Sequence, residues 1–210
     1  MERLRAHKGF LIAECVLYVC FLWMDLTGVE GSMYVKYAGI ILCVLYACHL
    51  ADAVDGYLTI AALCFTAAAD VFLLILDRDY VIGVLLFCVV QAFYAVRLAR
   101  AVHPWSLWEG VLRFGLPSAL IFFLPQLGLF SLLNVIVVFY YCNLLINACK
   151  SARFSGGTAF TIGLFLFAAC DFCVGLHNLP LSMDGLKSFV SIAMWGFYLP
   201  SQVFITCSID

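Results

Sequence analysis

Residues 57–76, from Tyr57 to Leu76, read YLTIAALCFTAAADVFLLIL, and this stretch decides the fold. It carries a single charge, Asp70, and neither glycine nor proline. A helix rising about 1.5 Å per residue needs roughly 20 such residues to cross a bilayer. The stretch therefore reads as a membrane span with an acid inside it.

Working outward, further apolar runs predict spans near 10–27, 34–51, 57–76, 80–98, 111–125, 128–148, 158–177 and 187–206. The expected fold is all-α, a polytopic membrane bundle of about eight transmembrane helices forming one integral membrane domain over residues 1–210. Composition agrees. Of 210 residues, 66% are hydrophobic and 11% charged, against about 25% charged in a soluble domain. The net charge is −2 with no basic block, which argues against nucleic acid as a partner. The fifth run is the least regular, since Pro117 and Pro125 interrupt it and Gly128 follows. The first run has no small-residue cleavage site and is followed by more spans, so it is not read as a signal peptide. The connections are short, which places any chemistry within the bundle.

Loop charges predict orientation. With the amino terminus in the cytoplasm, Arg3, Arg5, Lys8, Arg97, Arg100, Arg113, Lys150 and Arg153 fall inside, and Lys36, Arg78 and Lys187 outside. Both termini are then cytoplasmic. The host is the plasma membrane of a bacterium or the endoplasmic reticulum of a eukaryote.

An ionisable group within a span costs several kcal/mol and marks a functional site by default. Asp70 and Asp171 are such groups. Each lies six residues before the outer end of its predicted span, roughly 9 Å deep at the helical rise. Their surroundings are alike, LCFTAAADVFLLIL against LFLFAACDFCVGL, and they stand 101 residues apart, about half the chain. A duplicated four-helix unit, a 4+4 internal pseudo-repeat, is one reading, and chance similarity between apolar helices is the other. Polar residues also recur at helical spacing: Glu14, Tyr18, Phe21 and Asp25; Gln91 and Tyr94; Tyr140, Asn143, Asn147 and Lys150; Ser191, Trp195, Tyr198, Gln202 and Thr206. Such stripes face protein or water, not lipid. Lys36 lies at the depth of the two acids, where it either pairs with one of them or snorkels to the interface.

Two carboxyl groups in a low-dielectric site divide labour, one staying protonated beside an ionised partner. That pair can run acid–base hydrolysis without a metal or a covalent nucleophile. None of the sequence patterns H-E-x-x-H, G-x-S-x-G or a glycine-rich phosphate loop occurs. The eleven cysteines fall almost entirely in apolar runs. Cys170 and Cys173 straddle Asp171 without the second pair that a zinc site requires. They read as small packing side chains, and neither metal nor cofactor is expected.

At these residues the chain resembles the lysoplasmalogenase family of YhhN-type, eight-helix membrane proteins. That family carries a Lys at the start of the second helix, an Asp in the third, then F-x-x-G-x-x-x-F-x-x-x-H-x-x-Y. A Ser-Asp pair follows in the seventh helix, and Y-x-x-A-Q near the end. The matching positions here are Lys36, Asp70, the run YVIGVLLFCVVQAFY with Gly83, Phe87, Gln91 and Tyr94, then Cys170-Asp171, and Tyr198 with Gln202. The chain departs from the pattern at Ala69 for Gly, Cys170 for Ser, Gln91 for His, and Pro200-Ser201 before the glutamine. The resemblance implies hydrolysis of the vinyl ether bond of lysoplasmalogens, with a lysophospholipid of the bilayer as substrate. Asp70 and Asp171 become the catalytic acids, while Lys36, Gln91, Tyr94, Tyr198 and Gln202 orient substrate and water. Two other classes stay open: a small proton-coupled carrier, and a non-catalytic lipid-binding relative. A homodimer also stays open.

Overall fold

The computed structural model describes residues 7–155, 157–178 and 184–209. These form eight helices: α1 (Lys8–Thr27), α2 (Ser32–Leu50), α3 (Val54–Asp70, continued by a π turn, Val71–Ile75), α4 (Tyr80–Ala101), α5 (Leu107–Phe123), α6 (Leu132–Ser151), α7 (Thr158–Asn178) and α8 (Asp184–Thr206). No strand occurs among the described residues. Seven helices are long and apolar enough to cross a membrane. The eighth, α5, has only 17 residues, at the lower limit for a span.

Capping explains where the fifth and sixth helices differ from expectation. Ser106 accepts from the Glu109 backbone N–H at 3.1 Å, which starts α5 four residues early and draws Glu109 and Arg113 into it. Ser131 caps Asn134 in the same way and delays α6 to Leu132. The serines satisfy backbone donors that a first turn leaves open.

Pro117 and Pro200 both sit inside helices. A proline has no N–H to offer the carbonyl four residues earlier, and in a bilayer that carbonyl must find another donor. The carbonyl freed by Pro117 is that of Arg113, and Asn143 of α6 donates its side-chain amide to it at 3.3 Å. Pro200 frees the Gly196 carbonyl, which accepts from the Tyr18 hydroxyl of α1 at 3.5 Å. Members of two polar stripes thus compensate prolines on other helices.

The stripes face inward as expected. Glu14 and Phe21 of α1, Asn143, Asn147 and Lys150 of α6, and Tyr198, Gln202 and Thr206 of α8 are all buried. The opposite surfaces are apolar, as in Ile12, Val16, Val19 and Trp23 of α1, where lipid is the solvent. The α7 and α8 helices approach backbone to backbone: a Cβ on Gly163 would lie 2.9 Å from the Ser201 carbonyl and 3.0 Å from the Ile205 nitrogen. The bundle also has two distinct ends. His7 bonds Tyr46, Arg97 bonds Ser208 and Arg100 pairs with Asp55 at the end where α1 begins. Asp25 and Lys36 pair at the other.

Candidate functional site

Asp70 occupies the last α-helical position of α3 and is 4% exposed. Directly after it the helix widens into a π turn, closed by Leu76 N–H to the Val71 carbonyl at 2.8 Å. Single π turns of this kind are frequent at functional sites. The turn projects Leu73 onto Gly83 of α4, where a Cβ would meet the Leu73 side chain at 2.5 Å. The glycine of the expected motif is therefore required by the bulge beside the acid.

Each acid is held by a tyrosine from another helix. The Tyr198 hydroxyl stands 2.9 and 2.7 Å from the two carboxyl oxygens of Asp70. The Tyr140 hydroxyl donates to Asp171 at 2.5 Å. Aromatic rings join the two pairs. Phe87 contacts Tyr140 at 5.7 Å and Phe167 at 5.5 Å between centroids, and Phe167 contacts Tyr198 at 5.7 Å. Two carboxyl groups, two phenols and an aromatic wall thus share one interior region, which suits an apolar chain with a polarisable oxygen. The two acids do not have equivalent partners: one tyrosine comes from α8 and the other from α6, so their environments do not follow the pseudo-repeat.

The remaining expected residues lie elsewhere. Lys36 pairs with neither Asp70 nor Asp171. It bonds Asp25 at 2.7 Å and lies over Trp195 at 4.7 Å and Phe21 at 5.4 Å. This corrects the expected choice between pairing with a catalytic acid and snorkelling. Asp25 lies on the same face of α1 as Glu14 and Phe21, so the helix turn delivers it to the start of α2. Gln91 accepts from the Asn147 amide at 2.9 Å and belongs to a different network. Gln202 donates to Ser201 at 3.1 Å. Tyr94 packs edge-on to Phe160 at 5.4 Å, toward the end of the bundle where α1 begins. Among the expected orienting residues, only Tyr198 bonds Asp70 or Asp171.

The network around Gln91 includes an ion cluster whose two cations count, by sequence, among the inner-side charges. Glu109 accepts from Arg113 at 3.0 and 2.8 Å and from Lys150 at 3.1 and 2.8 Å. Arg113 also donates to Asn143 at 3.1 Å and Asn147 at 2.8 Å. All five residues are buried. The serine cap that lengthened α5 brought the two α5 charges into the bundle. Their i,i+4 spacing was the available signal. Tyr140 was likewise visible as a stripe residue, but nothing in the sequence pointed it at Asp171.

All eleven cysteines carry free thiols. Among the described residues, no three His, Cys, Asp or Glu side chains are grouped to hold a metal ion. Neither curated proteins nor solved structures give a match. The YhhN family model matches residues 31–209, from the turn before α2 to the last described residue. With that match covering most of its length, the chain is a multi-pass helical membrane protein of the YhhN family, the lysoplasmalogenase family.

Proposed function

We propose that the protein is a membrane-embedded hydrolase that cleaves the vinyl ether bond of lysoplasmalogen-like lysolipids, with Asp70 and Asp171 as its acid–base pair. The observation that carries this reading is the tyrosine-held pair of acids on one aromatic wall. A neutral carboxyl donates its proton to the enol carbon of the vinyl ether, leaving an oxocarbenium-like carbon beside the ether oxygen. Water adds there and gives a proton to the ionised carboxyl. The hemiacetal then breaks its carbon–oxygen bond, releasing a fatty aldehyde and the glycerol hydroxyl. One water is consumed and no net proton. Tyr198 and Tyr140 hold the carboxyl groups in place, and the ring wall excludes bulk water from the cation.

The test is aldehyde release from a lysoplasmalogen by purified protein. Asp70→Asn and Asp171→Asn keep shape but remove the titrating group, so turnover should fall by about 10²–10⁴, the range of acid–base assistance. Replacing Cys170 and Cys173 by Ala should leave most of it. Gln91→His restores the residue usual in the family and should raise turnover. Wild type and Gln91→His both inert on a panel of lysolipids, with proton-coupled solute movement in liposomes, would establish a carrier instead.

A further inference from the structure

One buried acid belongs neither to the pair nor to the Glu109 cluster. Glu14 of α1 is 3% exposed, and no cation among the described residues pairs with it. Its Oε1 accepts from the Cys43 thiol of α2 at 3.5 Å, while its Oε2 has no protein partner. Gly39 permits this approach, since a Cβ there would lie 3.2 Å from that oxygen. From α8, Leu199 closes on the same point, since a Cβ on Gly39 would lie 2.8 Å from its side chain, and Gln202 and Thr206 follow Leu199 along that face of the helix at steps of three and four. From α4, Arg97 donates to Ser208 just beyond α8 at 2.8 Å, which sets Tyr94, one turn earlier on α4, near the level of Thr206. Four helices therefore meet about one point, roughly 9 Å in from the start of α1 at the helical rise.

At that point the Tyr94 hydroxyl and the Thr206 hydroxyl, like Glu14 Oε2, have no protein partner, although both residues are fully buried. One turn along α8 the Gln202 amide oxygen is also unpartnered, and so is the Thr66 hydroxyl one turn before Asp70 on α3. Gln202 bonds Ser201, which bonds the carbonyl of Tyr198, the residue holding Asp70. Unpaired polar atoms are costly in a membrane interior. Carboxyl, hydroxyl and amide oxygens brought together in this way are what ordered internal water satisfies.

We propose that Glu14, Tyr94, Gln202 and Thr206 line an internal water-binding chamber, which follows α8 from the end of the bundle where α1 begins toward Asp70 and Tyr198. Its delivery role rests on the hydrolase reading: the chamber brings the hydrolytic water to a site otherwise walled by aromatic rings. Glu14 precedes the residues matched by the family model, so this chamber uses a helix outside that match.

Hydroxyl-radical footprinting of the full chain in lipid nanodiscs tests it, since radicals formed from internal water label the side chains next to it. After correction for intrinsic reactivity, Tyr94 and Cys43 should label about tenfold faster than Leu63 and Leu144, which are equally buried but bear no polar atom to hold a water. Glu14→Leu and the isosteric Thr206→Val should each bring those rates down toward the leucines. Wild-type Tyr94 and Cys43 labelling no faster than the leucines would show a dry interior and overturn the chamber. Delivery is read separately, as a kcat about tenfold lower in both variants with KM little changed. Full turnover in a variant that has lost labelling would overturn delivery. Strong labelling in a protein that hydrolyses no lysolipid would keep the chamber and remove the hydrolase reading.

Discussion

The decisive residues are charges placed where charges are costly, and each has a different solution. Asp70 and Asp171 are met by phenols, which hold a carboxyl group without neutralising it. Tyr198→Phe and Tyr140→Phe should therefore weaken catalysis less than loss of the acid itself, by about 10-fold for a hydrogen bond worth about 1.5 kcal/mol, measured as kcat on lysoplasmalogen. Glu109 is solved by pairing with two cations. Removing one partner from a buried cluster is far costlier than the cluster's net worth. Glu109→Gln strands Arg113 and Lys150 and should cost about 3–5 kcal/mol, seen as a lower thermal midpoint in detergent. Adding Lys150→Met should recover part of that loss, because one stranded charge is removed.

Proline and glycine positions carry the specification at the scale of elements. Tyr18→Phe should expose the Gly196 carbonyl and cost about 0.5–1.5 kcal/mol, the range of interhelical hydrogen bonds in membranes. In a Pro200→Ala background the helix supplies its own N–H, so the same change should cost almost nothing. A double-mutant cycle on unfolding reads the difference directly. On α4, Gly83→Ala drives a methyl into Leu73 and should lower both stability and turnover through the π turn. Leu73→Ala should restore the stability if the clash is the cause. The prolines and Gly83 are plain in the sequence, but which residue answers them is not. Asn143 and Tyr18 were visible only as members of polar stripes.

Seven long apolar helices and the short α5 make a bundle with both described chain ends at one end. Burial removes several of the charges from which orientation is predicted. Arg97, Arg113, Lys150 and Lys36 are buried in the bundle, so they report on packing rather than on a membrane face. Arg3 and Arg5 lie outside the described residues. Lys8, Arg100 and Arg153 remain exposed at the end where α1 begins, against Arg78 exposed at the other. Tags at either terminus should accordingly be reachable only from the cytoplasm, as scored by impermeant labelling of intact cells. Labelling of either tag from outside would reverse the assignment and place the acids toward the inner leaflet.

Sequence alone determined the helices, their number, the inward face of each stripe and the two intramembrane acids. All of these follow from local rules: hydropathy over one span, a period of 3.6 residues, and the cost of a charge in hydrocarbon. The tertiary structure alone decided the partners. Lys36 could have answered any acid at its depth, and it took Asp25; Gln91 left the acids for Asn147; Glu109, which sequence reading left unused, gathered two cations. Partner choice depends on the rotation and approach of helices far apart in the chain. Those are set by side-chain packing, as where Gly39 admits Glu14 and Gly163 admits α8, and no single helix encodes them by itself.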